Sequence, residues 1–167
     1  EDVLQLLPVM WGPGSPPFAG KVLSIAETLC YPRPVQERVP ILVGGSGERH
    51  TLRLAAQFAD ACNLRGDAST VAAKVAVLRS HCADIGRQPG EVEVTHLSTA
   101  VAVRTRREVA AYGADIDRFG VGTVDDHIGR YRLLAEAGVE TAIVSLPEVA
   151  QPGALEAFAS VISSFAM

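Results

Sequence analysis

The stretch "PILVGGSGERHTLRLAA", residues 40–56, combines residue types in an order that could do chemistry. Apolar, β-prone Ile41, Leu42 and Val43 run into Gly44, Gly45, Ser46 and Gly47, and a leucine-rich segment with helical spacing follows. A strand, a glycine turn and a helix N-terminus in that order make an anion site. The first helical amides lack partners, the helix dipole favours negative charge, and missing side chains permit close approach. Phosphate is the natural occupant. The same glycines would also serve a tight turn that holds no ligand, so the pattern alone leaves both readings open.

Two familiar phosphate loops fit poorly. No lysine lies between Lys21 and Lys74, which excludes GxxxxGK[ST]. Gly45 and Gly47 match the first two glycines of GxGxxG, but His50 stands at the third position, where close helix-to-strand packing wants no side chain. A nicotinamide-binding Rossmann domain therefore stays as a weakened alternative. Of the histidines His50, His81, His96 and His127, His50 lies with Arg49 one turn from the proposed phosphate. His81 and His127 fall on helices, expected on the outside of the fold, and His96 falls in a strand. Arg104, Arg106 and Arg107 form the densest cationic cluster and read as a solvated helix start. Asp125 and Asp126 have no His or Cys at ligand spacing, so no metal is predicted.

Composition narrows the partners. The 15 Lys plus Arg against 19 Asp plus Glu give a net charge of -4 with no basic tract, which argues against nucleic acid. No apolar run approaches the ~20 residues that cross a bilayer, and "EDVLQLL" is acidic where a signal peptide is basic. Cys30, Cys62 and Cys82 have neither disulfide-framework nor CxxC spacing, which fits a reducing cytoplasm. With 167 residues and 48% hydrophobic content, one domain with a real core is expected.

The elements that must position the turn read as follows. Val3, Leu4 and Leu7 recur at helical spacing with no N-cap before Glu1, so the chain reads as starting inside a helix. Residues 1–39 form that helix end and a Pro/Gly-rich insertion, with a small hairpin predicted in "FAGKVLSI" around Ala19 and Gly20. Residues 40–167 alternate strands and helices. Strand Ile41–Val43 leads to a helix from about Glu48 with Leu52, Ala55, Ala56 and Ala59 on one stripe. Strand "DACNL" precedes a helix capped by Asp67 or Ser69, with Val71, Val75, Leu78, Cys82 and Ile85 recurring on one face. Residues 92–103 form a strand. Thr105 with Glu108, and Thr123 with Asp126, predict capping boxes, the second opening a helix with Ile128, Tyr131, Leu134 and Ala135 on one side. Strand "TAIVSLP" precedes a last helix carrying Leu155, Phe158, Ile162 and Phe165. Four strands alternating with helices predict an α/β fold with parallel pairing, too few for a complete barrel or a usual doubly wound sheet.

The run "PRPVQERVPILVGGSGERHTLRLAAQFADACNL", with "HCADIGRQPGEVEV", "GTVDDHIGRYRLLAEAGVETAIVSLP" and "LEAFASVI", resembles the luciferase-like monooxygenase family, in particular its coenzyme F-420-dependent oxidoreductase branch. The resemblance implies a (β/α)₈ TIM barrel of which this chain is the C-terminal half, its four strands being the fifth to eighth. It implies an F-420 cofactor, or FMN, whose phosphate lies at Gly44, Gly45, Ser46 and Gly47, with amides from Gly45 and Gly47, the Ser46 hydroxyl, and Thr51 as neighbour. Asn63 matches the family and would sit at a strand's C-terminal end, as would Ser145; Cys62 stands where many relatives carry tryptophan. The first four strands, which usually supply the pocket around the reactive ring, lie outside the sequence, so catalytic residues are unassigned. The activity implied is hydride transfer to or from a small organic substrate. A half-barrel exposes edge strands, so self-association or pairing with an N-terminal half is expected, and a non-catalytic phosphate-binding or assembly module is the alternative.

Overall fold

The computed structural model describes residues 1–166, apart from the side chains of Arg118 and Phe119; Met167, the end of the predicted 40–167 unit, lies outside them. Helix α1 (Asp2–Trp11) is followed by the short antiparallel pair β1 (Phe18–Ala19) and β2 (Ser24–Ile25), the expected hairpin. Asp2 joins the two. Its Oδ2 accepts hydrogen bonds from the amides of Val22 at 2.7 Å and Leu23 at 2.9 Å, and these donors hold its carboxyl below the usual range. Gly20 permits the approach, since a Cβ there would fall 2.4 Å from Asp2 Oδ2.

The remainder runs β3 (Leu42–Gly44), α2 (Thr51–Phe58), β4 (Ala61–Leu64), α3 (Ala68–Asp84), β5 (Glu93–Thr99), β6 (Val101–Val103), α4 (Arg106–Ala111), α5 (Ile116–Phe119), β7 (Val121–Thr123), α6 (Val124–Glu136), β8 (Thr141–Ser145) and α7 (Ala154–Ser163). Strands β3, β4, β5 and β8 form one parallel sheet in that spatial order. Each new strand adds beside the last, so right-handed crossovers place the helices on one face, as in a barrel wall. A dinucleotide fold needs a reversal of strand order to make its crevice. The main sheet has no such reversal among the described residues, which removes the Rossmann alternative.

Register sorts the two faces. Val43, Cys62 and Val94 are mutual partners and pack with Leu52, Ala55, Ala56, Val71, Val75 and Leu78 in the core between sheet and helices. One position on, Gly44, Asn63 and Thr95 are partners and occupy the opposite, concave face. That face is unevenly covered: Thr95 and Ala61 are buried, whereas Leu42 is 48% and Ile143 39% exposed.

The predicted stripes of α2 and α3 are buried, except Ile85, which lies beyond the last turn of α3. Four expectations change. Helix α2 begins at Thr51, three residues later than Glu48, because residues 48–50 form a turn that delivers the Leu52 amide to Gly47 O at 3.0 Å. The strand expected over 92–103 breaks at Ala100. β5 pairs with β8, whereas β6 leaves to pair with β7, a strand that the sequence reading missed. Gly120 makes this crossing possible, since a Cβ there would lie 2.3 Å from Thr99 O. The buried stripe of α6 is His127, Tyr131 and Leu134, while Ala135 is exposed; His127 therefore faces inward and not the outside. On α7, Phe158 is buried but Leu155 and Ile162 are exposed, and Phe165, also exposed, lies beyond the end of the helix.

Candidate functional site

The glycine turn connects the C-terminal end of β3 to the N-terminus of α2, at the end of the sheet where barrel enzymes build their sites. Six predicted residues come together there. Gly44 is the register partner of Asn63, and the Gly45 amide donates to Asn63 O at 3.2 Å, continuing the ladder by one residue. Thr51 packs under the turn: a Cβ on Gly45 would lie 3.0 Å from Thr51 Cγ2, and one on Gly47 3.0 Å from Thr51 Oγ1. Gly45 also has φ +131°, a conformation open to glycine and strained for other residues. Gly44, by contrast, faces open space.

The donors differ from the expected set. Gly45 was expected to offer its amide, but that N–H is engaged by Asn63 O. Among the described residues, the amides of Ser46, Gly47 and Glu48 make no hydrogen bond within the protein, and all three residues are exposed. The helix that follows has no side-chain cap at His50. Its neighbours are closed by their own side chains. Asp67 Oδ1 accepts from the Thr70 amide at 2.7 Å ahead of α3, and complete capping boxes open α4 (Thr105, Glu108) and α6 (Thr123, Asp126) as predicted. Where α3 satisfies its first turn with an internal carboxylate, α2 leaves that place open.

The remaining candidates resolve into structure. Arg49 and His50 are exposed. Arg106 makes a double hydrogen bond to Asp126, 2.7 Å on each arm, tying the start of α4 to that of α6. His96 is buried in β5; its Nε2–H donates to Gly66 O at 2.9 Å, so Nδ1 accepts from the Ser98 hydroxyl at 2.8 Å. His127 Nε2–H donates to Val101 O at 3.1 Å, leaving Nδ1 buried without a partner among the described residues. Burial lowers the pKa of both rings. Cys62 is free and faces the core, where burial pushes its thiol up to about 11. Ser145 ends β8 beside Thr99, and its carbonyl accepts the Ala100 amide at 3.0 Å. Among the described residues, no group of three or more His, Cys, Asp or Glu is placed to hold a metal ion, and no helix is long and apolar enough to cross a membrane.

Two groups of polar residues escaped sequence reasoning. Lys74 and His81 of α3 reach Glu48 at the end of the glycine turn. Away from the turn, a cavity of about 650 Å³ opens between β6, α4 and the start of α7, where Tyr112 donates to Glu148 Oε2 at 2.5 Å. That carboxylate pushes the Tyr112 phenol up to about 12. Tyr112 and Glu148 lie 36 residues apart, and no local pattern links them.

Comparison with known proteins identifies the lineage. The model of the luciferase-like monooxygenase family matches residues 1–137. The chain belongs to this family. Among solved structures it is similar to an F-420-dependent secondary alcohol dehydrogenase in complex with an F-420–acetone adduct (TM-score 0.77, 15% identity, 98% of this chain and 60% of that one). It is similar also to the coenzyme F-420-dependent tetrahydromethanopterin reductase of Methanopyrus kandleri (TM-score 0.76, 15% identity, 98% and 62%). A third is a monooxygenase from Streptomyces bottropensis (TM-score 0.76, 16% identity, 99% and 60%). A search of curated proteins gives no match. The chain spans about 60% of the length of these solved relatives, and its fold is part of the luciferase-like TIM barrel.

Proposed function

We propose that this chain is the C-terminal half-barrel of a flavin-type oxidoreductase that uses coenzyme F-420, with FMN the alternative, and that its glycine turn seats the cofactor's phosphate. The uncapped N-terminus of α2, with the free amides of Ser46, Gly47 and Glu48 at a strand's C-terminal end, carries this proposal. An anionic group suits these residues: the donors converge on one turn, the dipole of α2 favours negative charge, and no side chain fills Gly44 or Gly47. When bound, the cofactor supplies hydride transfer to or from a small organic substrate. The chain's own contribution is to hold the anionic end. Three amides donate, the Ser46 and Thr51 hydroxyls supply further donors, Gly45 and Asn63 lock the turn to β4, and the core beneath keeps it rigid. No acid or base on this chain is assigned to the reaction. The open edges of β3 and β8 require strands from an N-terminal half-barrel or a second copy, and the free thiols suit a cytoplasmic setting.

Titration of the chain with F-420 and with FMN, each followed by fluorescence, tests the proposal. Saturable binding of one cofactor, relieved by excess inorganic phosphate and abolished by Gly47→Val, is expected. Binding of neither, or unaltered binding to Gly47→Val, overturns it and leaves a non-catalytic module.

A further inference from the structure

We infer that Lys74 and His81 are positioning residues for the anion-binding turn, an inference that rests on the phosphate assignment above. They lie seven residues apart, about two helical turns, and so share one side of α3. Both end on Glu48. Lys74 Nζ is 2.7 Å from Glu48 Oε1, and His81 Nε2–H donates to the Glu48 carbonyl oxygen at 2.8 Å. Their side chains are only 21% and 24% exposed, against 53% for Glu48, so the two reach up beneath the turn and are not extended into solvent. Asp84 Oδ2 lies 3.9 Å from the other ring nitrogen of His81, beyond hydrogen-bond reach, so the bond to Glu48 is the ring's polar contact on the turn.

The turn needs such a clasp. Gly44 to Gly47 offer one small side chain among four residues, so Thr51, the Gly45 bond to Asn63 and the Leu52 bond to Gly47 O fix their direction with little side-chain packing of their own. Glu48 supplies one of the free amides of the turn, and gripping its carboxylate and its carbonyl together sets the plane of the peptides beside it. Lys74 has a second effect. Its ammonium holds the Glu48 carboxyl below the usual range, and the ionised carboxylate alone would repel an anion seated one residue away. Pairing cancels that charge.

The test uses the 167-residue chain with Lys74→Met, Lys74→Met combined with Glu48→Gln, His81→Phe and His81→Gln. Dissociation constants for F-420 and FMN and the ligand-free amide resonances of residues 46–48 are measured beside the unfolding midpoint. Lys74→Met is expected to weaken binding about three- to fivefold, the scale of one exposed ion pair, and added Glu48→Gln to restore it. His81→Phe is expected to broaden the three amide signals and weaken binding, and His81→Gln, which keeps an N–H donor, to recover both. Unchanged affinity and unchanged amide signals in Lys74→Met and His81→Phe overturn the clasp. Should the wild type bind neither cofactor, the phosphate assignment falls by itself. The amide signals then decide: broadening in His81→Phe supports the clasp, and its absence overturns it.

Discussion

Neighbouring glycines in the turn make unequal demands on the residue at each place. Gly44 faces open space, whereas Gly45 combines a left-handed φ with Thr51 Cγ2 at 3.0 Å from a Cβ. Gly44→Ala should therefore change stability by less than about 0.5 kcal/mol, and Gly45→Ala should cost about 1–3 kcal/mol, as read from urea unfolding. Equal costs at the two positions would contradict this geometry. The glycine pattern made the turn legible in the sequence. Which amides stay free was not, because that depends on where the ladder with β4 stops: it runs one residue past β3, engages Gly45 and shifts the donors to Ser46, Gly47 and Glu48. Lys74 and His81 were hidden for a similar reason. Their spacing on α3 is visible, but their target lies 26 and 33 residues away.

At the level of elements, local signals read well and long-range ones did not. The capping boxes of α4 and α6 and the Asp67 cap are contained within four residues each, and all three formed. The division of residues 92–103 into β5 and β6 depends on Gly120 approaching Thr99, which no local pattern encodes. His127 broke the apolar stripe of α6 because a histidine reads as polar, yet a single hydrogen bond to Val101 lets it face the core between Tyr131 and Phe158. This packing has a pH consequence. His96 and His127 have pKa values below the ordinary 6.5 when folded, so the unfolded chain binds protons first as pH falls. Stability should be level between about pH 7 and 8 and decline as pH drops through about 6.5. Unfolding midpoints at pH 8, 7, 6 and 5 check this, and a flat profile over that range would contradict it.

For the molecule as a whole, strand order carries the main lesson. Four parallel strands in sequential order are a barrel wall, and the awkward number read from the sequence is matched by coverage of about 60% of the solved relatives. Exposed Leu42 and Ile143 on the concave face, with Leu155 and Ile162 on α7 and Phe165 just beyond it, are the surfaces we propose another half-barrel covers. By light scattering the chain should therefore show a mass above 17.6 kDa, and a monodisperse monomer of that mass would contradict the need for a partner. The anion seat itself is most directly tested by amide NMR during titration with F-420 and FMN. The resonances of Ser46, Gly47 and Glu48 should shift together and saturate with one cofactor, while that of Gly45, bonded to Asn63, moves least. Cofactor binding that leaves those three amides unmoved would contradict the account.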